Sequence, residues 1–384
     1  MHGRTRVEIP IEIHNNLVVV PLVLNDQLPL KFVLDTGVRT AILTQKSFSD
    51  ILNLVYSRKY TITGPGGEKM VDAYVTNNVS LGLPGVHGRG HALLVLDQDY
   101  LELRNYLGTD VHGILGYELF SRFIVKVDYE RKLLTLYLPN VFKKRKKYES
   151  IPIIIQDTKP YATIPVTLMD GTTVEAKLLV DSGASHPLLL DPLSDERITI
   201  PHHVISSTIG RGLGGEIKGK TGRVKSVELG KHILNNVFAN FPDTNSYSDT
   251  TTMKVFRNGT IGGGILSRFT VVYDFPNEAI YFRKNGNFRE PFHYNVSGLT
   301  VRITGNGLNL DEFEIVEVRE GSASDLAGLK KGDKIVSMNG LTTSGLKLGD
   351  IVNRLSQKPG KKVKLEVMRG SKRLSASLVL SDQI

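Results

Sequence analysis

Apolar and polar residues alternate with a period of two over NNLVVVPLVLNDQLPLKFVLD (residues 15–35) and PYATIPVTLMDGTTVEAKLLVD (residues 160–181). That period sends successive side chains to opposite faces of a strand, so both stretches predict strands with a buried face. A turn signal interrupts each, Asn25-Asp26 in the first and Asp170-Gly171 in the second, and each stretch therefore predicts a hairpin.

The two stretches belong to a longer self-similarity. KFVLDTGVRTAIL (31–43) matches KLLVDSGASHPLL (177–189), which sets Asp35 and Asp181 146 residues apart (181 − 35). GILGYELFSRFIVKVDYERKLLTLY (113–137) matches GTIGGGILSRFTVVYDFPNEAIYF (259–282) in the same register, pairing Arg122 with Arg268 and Asp128 with Asp274. Between them, TGPGGE (63–68) matches RGLGGE (211–216) two residues out of register, as a small loop insertion would produce. One strand-rich domain therefore occurs twice. The basic run at 143–147 falls where the copies join and reads as a solvated linker, since no aromatic platform or groove-reading motif accompanies it. After a polar, turn-rich stretch at 285–295 the composition changes. The expected domains are 1–142, 149–286 and 296–384.

A length of 384 residues agrees with two or three domains. The absence of cysteine removes disulfide frameworks, thiol nucleophiles, thiolate zinc sites and iron–sulfur clusters. The longest apolar run, 17–24, contains Pro21 and falls far short of the roughly 20 residues that span a bilayer, so no integral membrane segment is expected. MHGRTRVEIP lacks the apolar core of a secretory signal; the expectation is a cytoplasmic protein, or a chain that begins after a removed signal. A net charge of +9 permits acidic partners without naming one.

The paired Asp-Thr-Gly and Asp-Ser-Gly carry the chemistry. Alone, such a tripeptide suits any turn in which Asp bonds its own backbone. Duplicated after apolar strands, it can bring two carboxylates together on a pseudo-two-fold axis. Carboxyl groups about 3 Å apart cannot both ionise, so the pair shares a proton and one member serves as base, the other as acid. Asp35 and Asp181 would then polarise a water against a carbonyl without metal or covalent intermediate. Thr36 and Ser182 would bond across the halves, and Gly37 and Gly183 would let backbone N–H groups approach the carboxylates. In the blander alternative both aspartates merely cap turns.

These residues resemble the retropepsin-like aspartic proteases, whose pattern is an apolar run, D-[ST]-G, and an apolar-apolar-Gly segment in each lobe. Here the segments read LDTG with ILG (114–116) and VDSG with TIG (260–262), where Thr260 departs from the pattern and Ile261 through the glycine run is a second possible reading. The resemblance covers residues 7–283. It implies a single-chain, two-lobed version, each lobe a small β-barrel, hydrolysing a polypeptide substrate. It also implies that Gly64, Gly66 and Gly67, with Gly212, Gly214 and Gly215, form flap tips; ordinary hairpin turns are the alternative. GRGLGG lacks the βαβ context of a dinucleotide loop, the histidines show no H-E-x-x-H, and Ser185 has neither G-x-S-x-G nor a recognisable base. No cofactor and no metal are expected. His186 is a candidate substrate contact, with packing as its other role.

FEIVEVREGSASDLAGLKKGDKIVSMNG (313–340) resembles the PDZ domain of bacterial proteases. The pattern predicts a short helix at 323–329 ending at Gly328, a turn at Gly332-Asp333, a strand from Lys334, and a second helix at 347–355. PDZ domains add an extended peptide, often a C-terminus, to a sheet edge. By the resemblance the carboxylate-binding loop falls at Ser297-Gly298-Leu299, so Gly298 and Leu299 are peptide-binding candidates; a module that only braces the second lobe is the alternative.

The expected fold is therefore mostly β, with two pseudo-two-fold related retropepsin-like lobes and a small β/α PDZ domain. The expected function is an aspartic endopeptidase whose PDZ domain recruits peptide. Its rivals are an inactive peptide-binding scaffold and an enzyme restricted to itself or one target. Peptides are the expected partners, not nucleic acid, and the resemblance places the protein in the cell envelope or periplasm if a signal was removed. Pepsin-like enzymes usually carry a hydroxyl residue directly after D-[ST]-G, where Val38 and Ala184 stand here. Loss of a donor to the charged form raises the pair's upper titration, so the pH–rate optimum is expected to be less acidic than theirs and to move down in Val38→Thr/Ala184→Thr.

Overall fold

The computed structural model describes residues 1, 3–66, 70–244, 255–305 and 311–384. Strands hold 50% of the residues and helices 12%, so the chain is mostly β. It divides into two compact units, one of Met1–Leu101, Val111–Val204 and Thr208–Glu290, the other of Glu102–Asp110, Ile205–Ser207 and Pro291–Ile384.

Within the first unit the sequence repeat becomes a repeat of topology. One eight-stranded sheet runs, in spatial order, Glu12–His14, Leu17–Leu24, Leu28–Leu34, Gly113–Leu115, Ile42–Leu43, Val86–Leu96, Val71–Leu83, Tyr56–Ile62. The other runs Ile154–Gln156, Lys159–Thr167, Thr173–Val180, Gly259–Ile261, Leu188–Leu190, His232–Pro242, Gly215–Leu229, Ile205–Gly212. In both, the second strand of the order also pairs with the seventh. Asn25 and Asp26 both take left-handed backbone angles, φ 50° and 58°, and Gly171 takes φ 94°, as the hairpin turns demand.

The parallel pairing that follows from this order matters most. Leu28–Leu34 pairs with Gly113–Leu115 so that Val33 faces Ile114, and Thr173–Val180 pairs with Gly259–Ile261 so that Leu179 faces Thr260. Thr260 is thereby the counterpart of Ile114, which settles the reading of the second apolar-apolar-Gly segment as TIG. Each pair ends beside an aspartate: Asp35 N–H donates to Leu115 O at 2.9 Å, and Asp181 N–H to Ile261 O at 2.9 Å.

A six-stranded sheet joins the lobes in the order Arg6–Pro10, Leu133–Tyr137, Ile124–Asp128, Phe269–Asp274, Ala279–Lys284, Glu149–Pro152. Its central antiparallel pair takes one strand from each copy, with Val125 opposite Tyr273 and Val127 opposite Val271. Phe120, from the first copy, packs its ring 5.3 Å from Tyr273 and 5.1 Å from Phe275 of the second. The basic run 143–147 lies exposed between the copies, as a solvated linker should.

In the second unit, strands Leu299–Thr304, Glu312–Val318, Lys334–Met338, Lys362–Arg369 and Lys372–Val379 form a sheet in that order, with Leu341–Thr342 beside Lys334–Met338. Phe313, Ile315, Met338, Ile351, Leu355, Leu365, Val367 and Leu378 fill its core. The predicted helices appear as Ala323–Leu326, where Ser322 Oγ accepts from Asp325 N–H at 3.3 Å, and Leu348–Leu355. The unit also takes in Glu102–Asp110, where the Arg104 guanidinium donates to Gly305 O at 3.0 Å and Asp311 Oδ1 at 3.1 Å. No helix among the described residues is long and apolar enough to cross a membrane.

Phe120 is fully buried at the seam between the lobes. Phe120→Ala is expected to lower the stability of the chain by about 3–5 kcal/mol, measured by chemical denaturation.

Candidate active site

The backbone leaves each parallel strand pair through a tight turn, and the side chains of the two turns interlock. Thr36 Oγ1 donates to Val180 O at 2.6 Å and accepts from Ser182 N–H at 3.0 Å. Ser182 Oγ donates to Leu34 O at 2.8 Å and accepts from Thr36 N–H at 3.1 Å. Both hydroxyl residues are buried, Thr36 at 1% exposure and Ser182 at 0%, so these bonds are formed away from water.

With the turns fixed, the carboxyl groups of Asp35 and Asp181 stand close enough for each to feel the other's charge. Gly37 N–H donates to Asp35 Oδ1 at 2.6 Å, and Gly183 N–H to Asp181 Oδ1 at 2.8 Å. Glycine is required at 183: a Cβ there would stand 2.2 Å from Asp35 Cγ. At 37 a Cβ would come 3.1 Å from Asp35 Oδ1 and 3.5 Å from both Asp181 oxygens. Burial, and next the charge of Asp181, hold the Asp35 carboxyl well above the usual carboxylate range; the Gly37 N–H and the Lys159 ammonium oppose the rise only in part.

Further contacts repeat across the pseudo-two-fold. The Asn15-Asn16 turn of the first lobe (φ 47° and 65°) reaches the loop after the second aspartate, with Asn16 Nδ2 donating to Ser185 O at 3.2 Å. The Asp157-Thr158 turn of the second lobe (φ 47° and 67°) reaches the loop after the first, with Asp157 Oδ1 3.8 Å from Arg39 Nη1. His186, on that second loop, has its imidazole pushed down to about 4, burial outweighing the nearby Asp181 charge. Its Nε2 is sealed from solvent with no hydrogen-bond partner among the described residues.

The Gly-rich tips meet one another. Gly214 N–H donates to Pro65 O at 3.0 Å. A Cβ on Gly66 would lie 2.1 Å from Gly215 O, one on Gly212 2.2 Å from Pro65 O, and one on Gly64 2.9 Å from Leu213 Cβ, so the backbones approach more closely than any other residue allows. Gly67 lies outside the described residues. Leu213, between the two expected tip glycines of its hairpin, packs into an apolar cluster of the first lobe. Sequence reasoning missed this contact, whose one visible signal was a leucine where the first copy has Pro65.

In the second unit Gly298 takes φ 81°, and a Cβ on it would strike Ser322 Cβ at 2.2 Å. Leu299 N–H is engaged by Ser297 Oγ at 3.2 Å, and the Leu299 side chain is 1% exposed in the core. Leu299 O in turn accepts from Asn295 Nδ2, so both backbone groups of Leu299 are engaged within the unit. The strand that it begins, Leu299–Thr304, is at an edge of the sheet.

A duplicated β lobe that sets two aspartates against each other defines the architecture of an aspartic protease. The family model described as aspartyl protease matches residues 20–119 and again 164–265, and the chain belongs to that family. A PDZ domain model matches residues 292–368. No curated protein matches the chain.

The folded chain holds Asp35 protonated to higher pH than an unfolded chain does, so the unfolded state loses that proton first and stability falls as pH rises from the ordinary Asp range to the raised value. Below that range both states are protonated and the effect vanishes. In thermal denaturation Asp35→Asn is expected to melt above the wild type at neutral pH, with the gap closing by about pH 3.

Proposed function

We propose that the protein is an aspartic endopeptidase in which Asp35 and Asp181 share one proton and activate a water against a peptide bond. The observation that carries the reading is the pair of neighbouring carboxyl groups, brought together at Gly37 and Gly183 and held by the reciprocal Thr36 and Ser182 bonds. With one proton between them, the ionised member takes a proton from the water as it attacks the carbonyl carbon, and the protonated member gives its proton to the carbonyl oxygen. Collapse of the resulting diol returns a proton to the departing amine and restores the shared state. Gly37 and Gly183 N–H groups steady the charge on the pair throughout.

The paired hairpin tips at 64–66 and 212–215 serve as flaps that close over an extended peptide, a role supported by their mutual backbone contact. The PDZ domain recruits or positions peptide by pairing a strand to its Leu299–Thr304 edge, which Gly298 immediately precedes. His186, on the loop after Asp181 and within its electrostatic reach, takes the packing role, as its buried ring supports.

Asp35→Asn and Asp181→Asn, tested singly on a mixed peptide library by mass spectrometry, are each expected to lower turnover by about a thousandfold while peptide binding persists. Wild-type binding without any cleavage would instead identify an inactive peptide cradle, and unchanged turnover in either variant would remove the dyad from the reaction.

A further inference from the structure

We infer that residues 102–110, which belong in sequence to the first copy, occupy the Leu299–Thr304 edge in cis, so that a peptide gains this edge only by displacing them. The inference rests on the recruiting role proposed for the edge, and on contacts within the second unit for its occupant.

An edge strand presents a row of unpaired N–H and C=O groups to any chain that can lie beside it. Glu312–Val318 takes one side of Leu299–Thr304 and leaves the other open to a partner. Alternation turns Leu299, Val301 and Ile303 into the core and Thr300, Arg302 and Thr304 outward. The short helix Leu103–Leu107 lies against this strand, and so does Leu348–Leu355, which packs from the core side. Glu102 Oε2 stands 3.6 Å from Arg302 Nη1 on the outward face. Arg104 donates to Gly305 O at the end of the strand, at 3.0 Å, and to Asp311 Oδ1 at 3.1 Å. Gly108 then closes on the first residue of the core-side helix, where a Cβ would come 2.7 Å from Leu348 Cβ. A segment that touches the outward face, the end of the strand and the helix behind it wraps the side that Glu312–Val318 leaves open.

The fit depends on particular residues. Gly108 takes φ 71° and its N–H closes the short helix on Arg104 O at 2.9 Å, so glycine serves both the turn and the close approach to Leu348. Glu102 and Arg104 meet opposite charges on Arg302 and Asp311, and between them they hold the far half of the edge, from Arg302 to Gly305. The near end is closed by Ser297 and Asn295, which engage Leu299 N–H and O. The first unit holds the chain on both sides of the segment, at Leu101 and Val111. A segment tethered in this way competes with free peptide at an effective concentration in about the millimolar range, and free peptide binds with an affinity reduced by the fraction of molecules whose edge is vacant. The occupant also defines the partner that fits: a short peptide with a carboxylate for Arg302 and, two residues on, a guanidinium for Gly305 O and Asp311.

The test titrates a fluorescently labelled peptide ELRNYLGTD, the segment itself, with the full chain and reads anisotropy. Two variants release the segment by different means: Glu102→Gln/Arg104→Ala removes its charges, and Gly108→Val forces it off Leu348. Each is expected to bind the peptide about tenfold tighter than wild type. Hydrogen exchange read by mass spectrometry is expected to lose protection at 102–110 and 299–305 together, and to regain it at 299–305 when excess peptide is added. Equal affinity in all three proteins, wild-type protection of 299–305 in both variants, or release of 102–110 without peptide binding would overturn the inference and leave the segment a structural brace. A mixed peptide library incubated with the same proteins separates the underlying reading. If the variants retain ELRNYLGTD and no library member, recruitment fails and cis occupancy stands; if wild type and variants retain library peptides equally, recruitment stands and cis occupancy fails.

Discussion

Two buried hydroxyls join the halves of this molecule at its most consequential point. Thr36 and Ser182 each donate to a main-chain carbonyl of the facing lobe and accept a main-chain N–H from it. All of these groups are out of reach of water, so loss of either hydroxyl leaves a donor and an acceptor unsatisfied, at about 1–3 kcal/mol per group. The arrangement couples stability to geometry. The bonds that exclude solvent from the seam also fix where the two turns stand, and hence where the carboxyls meet.

The electrostatics follow from that placement. An isolated Asp in a turn would be solvated and ionised at neutral pH. Brought against a second carboxyl and enclosed, Asp35 keeps its proton far longer, and the N–H groups that glycine allows so close only moderate the rise. The six-stranded sheet beneath supports the same registration over a longer span, because its central pair draws one strand from each copy. Neither lobe completes this sheet alone.

Much of the fold was written in local pattern. A period of two and its turn signals marked the hairpins. The common register of Asp35 with Asp181 and Arg122 with Arg268 announced a duplication that the strand orders repeat element for element. Partners set by tertiary contact were not legible. Arg122 and Arg268 match in sequence, yet Arg122 Nη1 meets His91 Nε2 at 3.2 Å while Arg268 bonds main-chain oxygens of Gly264, Asn287 and Glu290. Nothing in the pattern of 102–110 joins it to the C-terminal unit, since Arg104 finds Gly305 and Asp311 some 200 positions away. The Gly-rich tips were visible as turns. That glycine there serves the meeting of two backbones, with a leucine reaching past them, depends on a fold that a single window of sequence does not contain.

The shared seam also imposes an order in time. A ribosome releases Asp35 well before Asp181, and the intervening stretch holds the whole remainder of the first copy and the opening of the second. During that interval Thr36 has no Ser182 to grip and Asp35 has no second carboxyl beside it. Whatever the pair does, a nascent chain cannot do it, and the interval between the two codons sets a minimum delay before the finished site can act on anything near the translating machinery.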